Sequence, residues 1–162
     1  MASDTSAAAF GLEKPVIADD ALLAAIVRSS NDAIISKNLN SIIMSWNPAA
    51  TRIFGFSEAE MIGQSIRRLI PPELQHEEDM ILARVTSGEP VEAFETMRLT
   101  ASGQRFPISV TVSPVRDAEG RIIGASKIAR DLRETRALAA KLRLTEQRFQ
   151  MLTDNMSQFA WI

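Results

Sequence analysis

The stretch Trp46-Asn47-Pro48-Ala49-Ala50-Thr51-Arg52-Ile53-Phe54-Gly55-Phe56-Ser57-Glu58-Ala59-Glu60-Met61-Ile62-Gly63 packs two helix starts and two helix stops into a short length of chain. Asn47-Pro48 opens a helix, because Asn caps well and Pro is tolerated at a first helical position. Gly55 ends it near Phe54. Ser57 with Glu60 three residues later is a capping box, and Gly63 closes that second helix. Short helices in such quick succession serve as packing pieces against something larger.

That larger element is legible on both sides. Upstream, Ala33 to Lys37 and Ile42 to Trp46 are two β-rich runs separated by Asn38-Leu39-Asn40-Ser41, which marks a hairpin. Before them, Asp19-Asp20 lead into Ala21-Leu22-Leu23-Ala24-Ala25-Ile26-Val27, and a helix is expected from Asp20 to Ser29. Downstream, Pro71-Pro72 open a longer helix to Thr86, closed by Ser87-Gly88. Three β-rich runs follow, Ala93 to Leu99, Arg105 to Arg116 and Ile122 to Ala129, joined by Ala101-Ser102-Gly103 and Asp117-Ala118-Glu119-Gly120. Two strands, several helices and three more strands imply an α+β domain: a five-stranded antiparallel sheet with short helices packed on one face.

The chain has 162 residues, enough for one compact domain and an appendage. A formal net charge of −2 advertises no broad basic face, so no nucleic acid is expected as a partner. There is no cysteine, which removes disulfides, thiolate metal sites and cysteine nucleophiles. No window approaches the ~20 apolar residues of a membrane helix, so this segment is expected to make no membrane contact and to be cytoplasmic. Residues 1–18 are expected to form a loose tail.

The segments in family order resemble the PAS family. They are Asn31-Asp32-Ala33-Ile34, Trp46 to Ala50, Phe54 to Gln64, Leu69 to Glu73, Gly103 to Ile108, Ser113 to Asp117 and Ile128 to Leu132. The resemblance places the domain at 19–131. It implies a sensory input module that holds a small ligand or cofactor between sheet and helices, or responds by dimer packing, and relays to a kinase or cyclase. A sensor histidine kinase is the commonest companion for such domains. In this frame Arg130 and Asp131 mark where the last strand becomes the output helix, with Asp131 a natural cap at the junction.

From Asp131 onward the pattern is helical. Leu138, Leu142, Thr145, Phe149 and Leu152 follow a four-three rhythm, the a/d spacing of a coiled coil. Residues 132–152 are therefore expected to form a linker helix that pairs in a homodimer with help from the N-terminal helix; the bland alternative is a helix folding back on its own domain. Phe149 to Leu152 and Phe159 to Ile162 echo Leu23 to Ile26 and Ala33 to Ser36. Residues 153–162 thus read as the start of a second, cut-off copy, and the chain as an excerpt of a larger sensor.

His76, the lone histidine, carries every heme and metal hypothesis. In oxygen-sensing PAS proteins a histidine on the long helix holds the iron; alignment by Pro71-Pro72 and Asp79 puts Glu78 there. At 100° per residue Leu74, Ile81, Leu82 and Val85 form the apolar arc, with His76 nearly opposite. The sequence thus weighs against heme, although Arg84 matches a basic residue near a heme propionate in those proteins. No metal site is expected, and flavin photochemistry through a cysteine adduct is excluded. Non-covalent flavin stays open, with Trp46 and Trp161 as stacking candidates, although Trp46 at the end of a strand reads as packing. Glu78 lies inside the apolar arc and needs a partner, with Arg98 and Arg105 within expected reach. The pocket candidates are Glu78, Ile81, Leu82 and Val85; the relay candidates are Arg130, Asp131, Leu138, Leu142 and Phe149. No ligand or cofactor is named by these residues, and a cofactor-free dimerisation and spacer module is the alternative. There is no nucleophile–base pair or phosphate loop, so no catalysis is expected of this chain.

Overall fold

A computed structural model describes residues 19–159. Helix α1 spans Asp19–Ser29, followed by the hairpin β1 (Ala33–Asn38) and β2 (Ile43–Trp46). Helices α2 (Pro48–Phe54), α3 (Glu58–Met61) and α4 (His76–Thr86) come next, with 3-10 turns at Ile66–Leu69 and Pro72–Leu74. Strands β3 (Val91–Leu99), β4 (Arg105–Arg116) and β5 (Ile122–Asp131) complete the domain, and α5 runs over Arg133–Phe159. The expected tail at 1–18 lies outside the described residues.

The five strands form one antiparallel sheet in the order β2-β1-β5-β4-β3. The chain leaves the sheet after β2 at one edge and re-enters at the other, so β5 must close the sheet by pairing with both β1 and β4. Alternation sends Ile35, Ala129, Val110, Val112 and Ile108 to one face, where all are fully buried. Against them pack Ala49, Ala50, Phe54, Met61, Ile66, Leu69, Ile81 and Val85.

Asn47 ties three elements together. Its Oδ1 accepts from Ala50 N–H at 3.0 Å, capping α2, and from Ile34 N–H at 2.9 Å; its Nδ2 donates to Val27 C=O and Asp32 C=O. One amide thus uses both donor and acceptor capacity to fix α1, β1 and α2 relative to one another. Gly55 takes φ +84° at the end of α2, the left-handed conformation that its position requires.

The helix expected over Pro72 to Thr86 is divided. A 3-10 turn ends at Leu74 and the α-helix starts at His76. The break is anchored by Gln75, whose Nε2 donates to Arg67 C=O at 3.0 Å and Ile70 C=O at 2.9 Å. Helix α5 runs without interruption over Arg133–Phe159, across the expected boundary after Leu152. The strand expected at the very end falls largely on residues 160–162, outside the described residues.

Candidate functional site

The helix-facing side of the sheet contains three cations where apolar side chains would be expected. Lys37 on β1, Lys127 on β5 and Arg98 on β3 are 2%, 1% and 0% exposed. Parity puts them there. Lys127 pairs with Ile35 on one side and Val112 on the other, and Arg98 pairs with Phe106, all residues of the buried face. Helix α4 lays Glu77 and Glu78 over this row, with Ile81 and Val85 continuing the buried stripe and Leu82 half-buried at its margin.

The carboxylates are held differently. Glu78 Oε1 accepts from Lys37 Nζ and from Ser41 Oγ, the latter at 2.8 Å. Glu77 accepts from Arg98 Nη1 at 2.8 Å and from Thr96 Oγ1 at 2.6 Å. The partner of Glu78 is therefore Lys37, not Arg98 or Arg105; Arg98 goes to Glu77 and Arg105 to Glu73. The expectation followed reach along the α4 side and overlooked that strand parity brings Lys37 inward.

The layer is incompletely satisfied. Lys127 Nζ, Arg98 Nε, Arg98 Nη2 and Glu78 Oε2 are buried without a hydrogen-bond partner. Burial, followed by the nearby positive charges of Arg98 and Lys37, drives the Lys127 ammonium well below the ordinary lysine value. Lys37 is lowered too by burial, against which the charge and hydrogen bond of Glu78 pull back.

A second constellation lies where β5 becomes α5. Asp131 Oδ1 accepts from Arg133 N–H at 2.9 Å, and its carboxylate also holds Arg133 Nε and Nη2. Arg133 Nη2 further donates to Ile53 C=O at 3.1 Å, and its guanidinium lies 4.4 Å from the centroid of Phe106. Phe106 packs edge-on against Phe54 at 5.5 Å, and Phe54 against Trp46 at 5.6 Å. An unbroken chain of contacts thus runs from the core to the first turn of α5. Arg130 by contrast reaches only Asp32, at 3.4 Å and largely exposed. Along α5, Leu138, Leu142, Phe149 and Leu152 are 60–70% exposed, and Met156 extends their four-three spacing by one more step.

Three comparisons bear on this architecture. The family model described as the PAS fold matches residues 21–132. The chain belongs to the PAS family. It is 29% identical over 120 residues to the methanogenesis regulatory histidine kinase FilI of Methanothrix harundinacea, covering 72% of this chain but only 13% of that kinase. The PAS domain of a Colwellia psychrerythraea protein superposes with a TM-score of 0.62 at 25% identity, covering 68% of this chain and 93% of that one. A domain of a sensory box sensor histidine kinase/response regulator from Geobacter sulfurreducens gives 0.60 at 20% identity, over 69% and 93%.

Within this PAS domain Glu78, at the position matched to a heme-ligating histidine, is committed to Lys37, while His76 is exposed and Arg84 turns to Glu89. Trp46 is a packing residue whose Nε1 donates to Thr51 Oγ1 and Phe56 C=O. Trp161 lies outside the described residues. No group of three or more His, Cys, Asp or Glu side chains that could hold a metal comes together among the described residues, and no helix there is long and apolar enough to cross a membrane. A surface cavity of about 740 Å³ lies away from Glu78, between α1 and α2, lined by Leu23, Val27, Trp46 and Thr51 among others.

Asp131 makes a pH-dependent contribution. Burial alone raises its carboxyl, but the hydrogen bonds and charge of Arg133 outweigh that and hold it below the ordinary carboxylate value. A depressed folded-state value means stability that is fully present above the unfolded value and is lost as pH falls through the folded one. Asp131→Ala is expected to cost about 1 kcal/mol at neutral pH. Urea midpoints of the two proteins should converge as pH falls through the depressed folded-state value of the wild-type carboxylate.

Proposed function

We propose that this PAS domain is the input module of a signalling protein. It registers a small ligand in the polar layer between the sheet and α4, where Glu78, Ile81 and Val85 are buried and Leu82 lies at the margin, and relays the change through a parallel pair of α5 helices. A kinase-type effector in the same polypeptide is the output that the likeness to FilI supports.

The observation that carries this reading is the combination of a rigid junction with an unsatisfied helix. Asp131 and Arg133 bind the start of α5 to the core, while Leu138, Leu142, Phe149 and Leu152 present an apolar seam that nothing among the described residues covers. A helix of 27 residues with that seam exposed gains stability by pairing with a second copy. A shift in the core then becomes a shift in the crossing of two helices, the form of relay in which one packed arrangement replaces another. The half-buried coupling through Arg133 favours this over a spacer role, because a spacer needs no link between the core and its exit helix.

Sedimentation of the full chain tests the relay. The wild type is expected to dimerise, and Leu138→Glu/Leu142→Glu to be monomeric with an unchanged unfolding midpoint for the PAS core. A chain that stays monomeric at high concentration overturns the relay through α5.

A further inference from the structure

Native interiors leave few buried polar atoms unpaired, and each exception calls for a partner that the protein itself does not supply. Four such atoms occur in the layer under α4, and their chemistry is not random. Arg98 uses only Nη1 internally, on Glu77, Thr96 and the Met97 carbonyl. Its two unpartnered atoms, Nε and Nη2, form the edge whose parallel N–H bonds match the two oxygens of a carboxylate. Lys127 adds an ammonium donor from the strand two places away in the sheet. The fourth atom, Glu78 Oε2, is an acceptor.

The charge count points the same way. Fully ionised, Lys37, Arg98 and Lys127 are three cations against two carboxylates, Glu77 and Glu78, one negative charge short in a buried layer, and burial accordingly drives the unpartnered Lys127 toward its neutral amine in the ligand-free domain. An uncompensated charge there is expensive, and a bound anion would remove the imbalance.

We propose that this layer binds a small hydroxycarboxylate, its carboxylate clamped by the Nε–Nη2 edge of Arg98 and by Lys127, and its hydroxyl donating to Glu78 Oε2. The four atoms are screened from solvent, which limits the ligand to a few heavy atoms and requires a local opening for it to enter. The signalling consequence rests on the input-module reading above; the binding site does not. Lys37 and Ser41 hold the other oxygen of Glu78 and so position its free one. Of the groups in the layer, only Arg98, Lys127 and Glu78 touch the ligand.

Thermal shift and calorimetric titration of the full 162-residue chain test this, with sodium formate, acetate, glycolate and lactate as probes and sodium chloride at matched ionic strength as the control. Glycolate or lactate is expected to give a saturable rise in melting temperature, with about tenfold tighter binding than acetate because the unhydroxylated acid leaves Glu78 Oε2 unpaired. Lys127→Met is expected to weaken binding at least about tenfold while remaining folded. Arg98→Lys, which keeps the charge but not the fork, is expected to do the same. No saturable response to any of the four, or undiminished binding by Lys127→Met, overturns the proposal. Binding by a chain that remains monomeric leaves the site standing and removes the relay. Dimerisation without any carboxylate response does the reverse.

Discussion

Lys37→Met is expected to destabilise the PAS domain by about 3–5 kcal/mol, because it removes one half of a buried ion pair and leaves the other half charged. Both side chains are fully buried, and without Lys37 the carboxylate of Glu78 keeps only the Ser41 hydroxyl. Methionine fills much the same volume, so the loss is electrostatic and does not come from a cavity. In a urea titration the midpoint should fall at unchanged slope, since the surface exposed on unfolding is the same. Adding Glu78→Leu to Lys37→Met should recover most of the loss, because an apolar pair of similar size has no charge to desolvate. A single-variant loss under about 1 kcal/mol would show that water reaches Glu78 and that the layer is not dry.

Lys127→Met is expected to act in the opposite direction. Lys127 is buried as deeply as Lys37 but has no partner, so its amine contributes a desolvation penalty with nothing returned. Methionine keeps the packing against the sheet and removes the unsatisfied group, which should stabilise the ligand-free domain by about 1–3 kcal/mol. The pH dependence has a definite sign. The groups facing Lys127 are Lys37 from β1, Arg98 from β3, and Glu77 and Glu78 from α4; burial and the two cations lower it, and the two carboxylates oppose them. Its folded value is therefore below its unfolded one. Between the two values the unfolded chain binds a proton that the folded chain does not, so wild-type stability rises with pH across that window. Lys127→Met should lack this rise, and the two proteins should draw together in melting temperature as pH rises toward the unfolded lysine value of about 10. A destabilised variant, or one with the wild-type slope, would mean that Lys127 is paired in solution. Taken with Lys37→Met, the two substitutions separate a buried lysine that supports the fold from one held at the expense of stability.

The scaffold was open to reading because its signals are local. Asn47-Pro48, the Ser57–Glu60 capping box and the loops at Ala101-Ser102-Gly103 and Asp117 to Gly120 each act within a few residues of chain, and each element they bound appears where expected to within a residue or two. The cap at Asp131 was legible for the same reason. Of the charged layer, only Glu78 was visible, as a carboxylate inside an apolar helical arc. Lys37 and Lys127 carried a fainter mark: each keeps the parity of buried neighbours, Ile35 for the first and Ala125 and Ala129 for the second. A lysine in such a run is ordinarily taken for the solvent side, and only pairing across the sheet shows otherwise. Arg133 was passed over because its value depends on Ile53 and Phe106, which are distant in sequence.

What the sequence by itself determined is the order and boundaries of the elements, the α+β class and the cap at the start of the exit helix, because caps, turns and periodicity are properties of neighbouring residues. What only the tertiary structure decided is which charges meet. Closing the sheet through β5 brings β1 next to β5, and α4 lies over β3, β4 and β5, so the long Lys37 side chain reaches Glu78 across 41 positions and Arg98 on β3 reaches Glu77 across 21. A buried charge is stable or costly according to what stands a few ångströms away, and that distance is set by the fold of the whole domain and by no local stretch of chain.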